Sequence, residues 1–141
     1  MRDIAFIALG SNIGDRDAML AQARAAIAAL PGSQIIGQSS IEETEPIGPI
    51  AQPPFLNQMV AVETTLDPRA LLNHLLAIET SVGRVRAVRW GPRTLDLDIV
   101  CFEKQSVNDP DLRVPHPELS NRPFWQRELI ELAGVVTRGM A

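Results

Sequence analysis

Apolar residues recur along the chain in two periods, and the changes of period divide it into elements. Ile4 to Leu9 is a short apolar run closed by Gly10-Ser11-Asn12, which predicts a first strand. From about Asp15 the spacing becomes helical, with Met19, Ala23, Ile27 and Leu30 on one face and Pro31-Gly32 as the stop. Gln34 to Thr44 predicts a second, more polar strand. The loop that follows, Glu45 to Pro54, holds four of the eleven prolines. Leu56 to Thr65 predicts a third strand, with Leu56, Val60 and Val62 alternating against Asn57 and Glu63. Asp67-Pro68 is a helix start, because Asp caps the first amides and Pro suits the first turn. Leu71, Leu75, Ile78 and Val82 continue that helix, and Gly83 ends it. Leu95 to Phe102 is the most apolar strand, Val107 to Asn121 reads as loop, and Phe124 to Ala133 as a last short helix.

The order strand, helix, strand, strand, helix, strand predicts one α+β domain over residues 1–141, a ferredoxin-like βαββαβ sandwich. Its antiparallel sheet carries both main helices on one face, with the short C-terminal helix added. Right-handed crossovers predict the first and last strands side by side in the middle of the sheet.

Composition narrows the function classes. The chain is 45% hydrophobic and 21% charged, ordinary for a soluble domain. No apolar run approaches the ~20 residues of a membrane span. The single cysteine, Cys101, lies in an apolar run, which predicts a buried thiol in a reducing, cytoplasmic setting. A net charge of −4 disfavours nucleic acid as a partner. Twelve of the thirteen basic residues are Arg, and Arg84, Arg86, Arg89 and Arg93 cluster before the last strand. Arginine pairs with phosphate oxygens bidentately, so the cluster suits a polyphosphate.

The chemistry-bearing run is Trp90-Gly91-Pro92-Arg93-Thr94-Leu95-Asp96-Leu97-Asp98. Strand alternation puts Asp96 and Asp98 on one face. Two adjacent carboxylates repel unless a cation lies between them, and hard oxygen ligands suit Mg²⁺ shared with substrate phosphates. An isolated Asp-x-Asp is more often an acidic edge paired with arginines; the neighbouring Arg cluster and Gly-Pro turn tip the balance towards metal. Glu79, late on the second helix, is placed to orient an arginine or a metal-bound water, or is an ordinary surface residue. His116 sits between two prolines and is a candidate phosphate contact. Phe55, Trp90 and Phe124 lie in or beside loops, where flat heterocycles stack, and Asn57 offers an amide to read a heterocycle edge.

Together these residues resemble the 6-hydroxymethyl-7,8-dihydropterin pyrophosphokinases of folate biosynthesis. The resemblance runs from Ala8-Leu9-Gly10-Ser11-Asn12 to Glu131-Leu132-Ala133, and includes Glu43 to Gly48, Pro54 to Asn57, Gly83 to Arg86, Val114-Pro115-His116 and Asn121 to Phe124. Its most specific stretch is Arg89 to Ile99. The resemblance implies an ATP-dependent diphosphotransferase that gives the pterin diphosphate and AMP, working as a monomer with small-molecule substrates and two Mg²⁺ ions. It implies Asp96 and Asp98 as metal ligands, with Arg84, Arg93 and both aspartates as the catalytic group. ATP would meet Glu79, Arg84, Arg86, Arg93, His116 and Arg122, and its adenine the backbone near Ile99. The pterin would meet Gly10, Thr44, Ile47, Asn57, Trp90 and Asp96, with its ring between Phe55 and Phe124.

The chain departs from that family's pattern at several places. Asp111 stands where a basic residue is expected near ATP, with Arg113 two positions later as a substitute. The Arg loop is one residue shorter between Arg86 and Trp90, and Gln126, Arg127 and Glu128 replace apolar residues and a Pro-Leu step after Phe124. Two other readings compete: a sister enzyme for a different pterin alcohol, and a paralogue that binds without turnover. A ferredoxin-like RNA-binding module is disfavoured by strands without exposed aromatics.

Overall fold

A computed structural model describes residues 2–46, 48–49, 51–82 and 95–139, with side chains to Val136. Strand β1 (Asp3–Ser11) is buried along its whole length. It pairs antiparallel with β4 (Phe55–Thr64) on one side and β5 (Asp96–Phe102) on the other. β2 (Ser33–Gln38) and the three-residue β3 (Glu42–Thr44) both pair with β4. The order β2-β4-β1-β5 keeps the first strand beside the last, as the crossover rule requires. The middle of the sheet differs from the expectation: β4 and β1 are central and β5 is an edge strand.

Alternation splits the sheet into two apolar faces. Ala5, Ile7 and Leu9 of β1 join Val60, Val62, Leu97 and Ile99 in one core. Two helices cover that core: α1 (Arg16–Ala28), through Leu20, Ala23 and Ile27, and α2 (Pro68–Ser81), through Leu71, Leu75 and Ile78. Both begin as predicted, with Asp15 Oδ1 accepting from Ala18 N at 3.0 Å and Asp67 Oδ1 from Ala70 N at 2.8 Å. Leu20 takes the buried place expected for Met19, which is half-buried.

Ile4, Phe6, Ala8, Met59, Ala61 and Val100 face the other way. They are covered by α3 (Pro123–Gly139), at 17 residues the longest helix described rather than a short one, with Trp125, Leu132 and Val136 turned inward. α3 lies close to β2 because Gly37 has no side chain: a Cβ there would meet Leu132 Cδ2 at 3.3 Å and Val135 Cγ1 at 3.2 Å. Arg127 pairs with Glu42 at 2.9 Å, and Glu131 accepts from the Ser40 amide and hydroxyl, tying α3 to the β2–β3 connection.

The stretch expected as loop contains a hairpin, β6 (Val107–Asp109) and β7 (Leu112–Val114), then a short 3-10 turn (Leu119–Asn121). Leu112 and Val114 anchor the hairpin in the first core. Beyond the cis Val114–Pro115 bond, the His116 amide donates to Val100 O at 2.8 Å, so this segment runs along the edge of β5 turned away from β1.

Candidate active site

α3 covers only part of its face of the sheet. Past Ala8 and Met59, the same face continues as Gly10, Asn57, Asp96 and Asp98. The register aligns these side chains: Gly10 lies opposite both Asn57 and Asp96, and Asp98 opposite Ala8. Asp96 and Asp98 are half-buried and project on the side away from Leu97 and Ile99.

Gly10 lets Asn57 and Phe55 approach the strand closely. A Cβ on it would come within 3.1 Å of Asn57 Oδ1 and 3.6 Å of the Phe55 ring. Asn57 is 8% exposed, and its Nδ2 donates to Thr44 Oγ1 across the β3–β4 pair. That bond fixes the amide, so its oxygen lies beside Gly10 and next to the half-buried Phe55. Thr44, Asn57, Gly10, Phe55 and Asp96 therefore form one connected group. Phe124 stands apart, at the start of α3, edge-on to Trp125 with centroids 6.2 Å apart.

On the β5 side, His116 Nε2 lies 3.8 Å from Asp98 Oδ1. Nδ1 of the ring accepts from the Glu118 amide at 3.0 Å. Burial holds the imidazole below its ordinary value, the Arg122 guanidinium adds to this, and Glu118 opposes it. The ring is thus neutral at pH 7, and the Glu118 bond assigns its proton to Nε2, facing Asp98. Trp125 organises the neighbourhood. Its ring meets His116 edge-on at 5.0 Å, and Arg122 stacks over it with Cζ 4.4 Å from the centroid. Buried at 2% exposure, Trp125 supports the His116 ring and the Arg122 cation on one rigid plate. The pattern did not single it out, because it follows Phe124 directly and also belongs to the inward stripe of α3.

A cleft opens beside this group, lined by Leu72 of α2, Leu97 to Ile99 of β5, Pro110 to Arg113 of the hairpin, and His116-Pro117. Its wall includes the edge of β5 turned away from β1. The Leu97 amide donates to Glu79 Oε2 at 2.7 Å, so it points away from β1, and alternation turns the Ile99 amide and carbonyl the same way.

Glu79 is 4% exposed, and its Oε2 accepts from the Leu97 amide, a bond that helps to position the strand carrying both aspartates. Asp111 is taken up in an ion pair: Arg69 of α2 donates to both of its carboxylate oxygens, at 2.8 and 3.0 Å, and to Asp109 at 3.1 Å. The hairpin is thereby fastened to α2. Ile47, Arg84, Arg86, Trp90 and Arg93 lie outside the described residues.

The two carboxylates fit magnesium. They share one face, remain partly open to solvent, and belong to no cluster of three or more His, Cys, Asp or Glu among the described residues. A hard cation that keeps waters and shares substrate oxygens takes such a half-built site, whereas a closed structural metal would not.

Residues 6–134 match the family described as 7,8-dihydro-6-hydroxymethylpterin-pyrophosphokinase (HPPK). The chain is 44% identical to the 2-amino-4-hydroxy-6-hydroxymethyldihydropteridine pyrophosphokinase of Bacillus subtilis (strain 168), over 98% of this chain and 83% of that protein. It is also 44% identical to the protein of the same name in Methylorubrum extorquens, over 92% of this chain and 82% of the other. Among solved structures, a crystal structure described as HPPK-DHPS in complex with substrates is similar in fold. Its TM-score is 0.65 at 16% identity, over 86% of this chain and 38% of the other. With the match spanning nearly all of the described sheet and helices, the chain belongs to the HPPK family of pyrophosphokinases.

Proposed function

We propose that the uncovered end of the α3 face, from Thr44 and Asn57 through Gly10 to Asp96 and Asp98, carries the pyrophosphoryl transfer of this family. The reaction moves a diphosphoryl group from ATP to 6-hydroxymethyl-7,8-dihydropterin, in folate biosynthesis. The observation that carries the site assignment is the register: one row across three strands joins an amide suited to a heterocycle edge to a pair of carboxylates suited to metal.

Asn57, held by Thr44, reads the pterin edge, while Phe55 and Phe124 supply ring faces. Gly10 leaves room for the ring beside the Asn57 oxygen. This orientation puts the hydroxymethyl group towards Asp96. Ile47 and Trp90 complete the pterin side. Asp96 and Asp98 hold two magnesium ions, which when bound neutralise the triphosphate and the charge of the transferred group.

ATP lies along the cleft, with adenine against the outward Ile99 amide and carbonyl. His116 donates from Nε2 to a phosphate oxygen, Arg122 adds a cation held by Trp125, and Arg84, Arg86 and Arg93 neutralise the remaining charge. The hydroxymethyl oxygen attacks the β-phosphorus in line. The new O–P bond forms as the bond from that phosphorus to the oxygen of the α-phosphate breaks, and AMP departs with that oxygen. The hydroxyl proton leaves to solvent or to a phosphate oxygen. The protein contributes chiefly orientation and charge neutralisation. We further infer that the chain acts in the cytoplasm as a monomer. No described helix is long and apolar enough to cross a membrane.

The test is AMP release from ATP, Mg²⁺ and 6-hydroxymethyl-7,8-dihydropterin, followed together with formation of the pterin diphosphate. One AMP per pterin diphosphate is expected. Binding of both ligands without AMP above background would instead identify a binding-only paralogue. Turnover only with another pterin alcohol would identify a sister enzyme.

A further inference from the structure

The proline-rich segment between β3 and β4 is bracketed by residues of the proposed pterin site, Thr44 before it and Phe55 after it. What fixes its two ends is therefore of consequence for that site. The β3–β4 ladder does so weakly, since it has only three pairs, Glu42 with Asn57, Glu43 with Leu56 and Thr44 with Phe55.

A side chain from outside the ladder reaches both ends. Arg16, the first residue of α1, places one nitrogen, Nη1, 3.0 Å from Glu43 Oε2 and 3.0 Å from the carbonyl oxygen of Pro54. Glu43 immediately precedes Thr44, and Pro54 immediately precedes Phe55. The Pro54 contact is a hydrogen bond and the Glu43 contact an ion pair, so one guanidinium nitrogen holds both ends. Four residues earlier, the buried Asn12 donates from Nδ2 to Gln52 Oε1 at 2.7 Å and to Pro53 O at 3.0 Å. The end of the segment nearest Phe55 is thus tied to the β1–α1 corner at three consecutive residues.

We infer that Arg16 is a positioning residue for the pterin site, a staple that sets the separation of Thr44 and Phe55 and so the placement of the Thr44-held Asn57 amide relative to the Phe55 ring face. The pair with Glu43 is largely solvent-exposed, its side chains 30% and 55% accessible, so it adds little to global stability. Its effect is local: without it, the ladder and Asn12 hold the two ends less firmly, and the ordering left to pterin binding weakens that binding. Chemical steps at Asp96 and Asp98 do not involve it.

This inference rests on the proposed pterin site, and its test separates the two. For Arg16→Ala, the pterin KM and the pterin Kd by fluorescence titration should each rise about tenfold, with kcat within about twofold and the ATP KM unchanged. Glu43→Gln keeps the Pro54 bond and should give a smaller rise, and the double variant should be no worse than Arg16→Ala alone. Arg16→Lys, which lacks the fork, should recover part of the loss. An unchanged pterin Kd in an active Arg16→Ala enzyme would overturn the staple and leave the site assignment standing. Equal falls in kcat/KM for both substrates, with a lowered melting temperature, would overturn it in favour of a structural role. A wild-type enzyme whose pterin binding is indifferent to Asn57→Ala would overturn the site assignment itself.

Discussion

Glu128 is a carboxylic acid in an apolar place. It is 2% exposed beneath α3, and neither carboxylate oxygen has a hydrogen-bond partner among the described residues. Burial pushes its pKa from 4.5 up to about 8; Glu42 and Glu131 act in the same direction, and Arg127 opposes them. The native state therefore binds this proton more tightly than the unfolded chain. Below about pH 4.5 both states are protonated and the group adds no pH dependence. As pH rises from there towards 8, the unfolded state has lost the proton and the native state keeps it, so stability falls. The slope is about 1.4 kcal/mol per pH unit, which caps the loss at about 5 kcal/mol; water entry into the ionised site reduces it, and about 2–4 kcal/mol is expected. Glu128→Gln removes the ionisation while keeping the shape. Urea unfolding at intervals from pH 5 to 8 should show wild-type stability falling relative to the variant by that amount, with unchanged m-values. Parallel stability curves for the two proteins would refute a neutral, buried Glu128.

Other consequences are local. Gly10→Ala drives a methyl group to about 3 Å from the Asn57 oxygen, so the amide must turn; pterin KM should rise at least tenfold while the melting temperature changes little. Unchanged pterin KM would show that the amide does not face the ring. Glu79→Ala leaves the buried Leu97 amide without its acceptor, a loss of about 1–3 kcal/mol in unfolding free energy, and kcat should fall with it because β5 carries Asp96 and Asp98. Full kcat in that variant would detach Glu79 from the strand's positioning.

Much of this was legible in the chain because local signals agreed with the final packing. Aspartate caps at residues 15 and 67 start both main helices, and the alternation in residues 95–102 sends Asp96 and Asp98 to one side and Leu97 and Ile99 to the other. The unreadable parts depend on partners distant in sequence. The second strand divides at Ser39, where the hydroxyl accepts from the Met59 amide and the carbonyl from Gln58 Nε2, a break made by tertiary bonds. Strands β6 and β7 have three residues each, too few to show a period. α3 runs past Ala133 despite Gly134, whose position is open enough that a Cβ would meet nothing. A glutamate late on a helix reads as surface, and the edge amide of β5 that bonds Glu79 is 18 residues away in sequence. The same distance hid Arg16, since its two acceptors lie 27 and 38 residues away in sequence.

The central claim is that the acidic pair at the uncovered end of the sheet performs the metal-dependent step while the neighbouring row binds the pterin. It is tested most directly by measuring Mg²⁺-dependent AMP release and pterin affinity side by side for wild type, Asp96→Asn and Asp98→Asn. The account predicts that either substitution lowers kcat by at least a thousandfold (about 4 kcal/mol of transition-state stabilisation), with pterin Kd within about fivefold of wild type. Near-normal turnover in both variants, with an unchanged dependence on Mg²⁺, would contradict it.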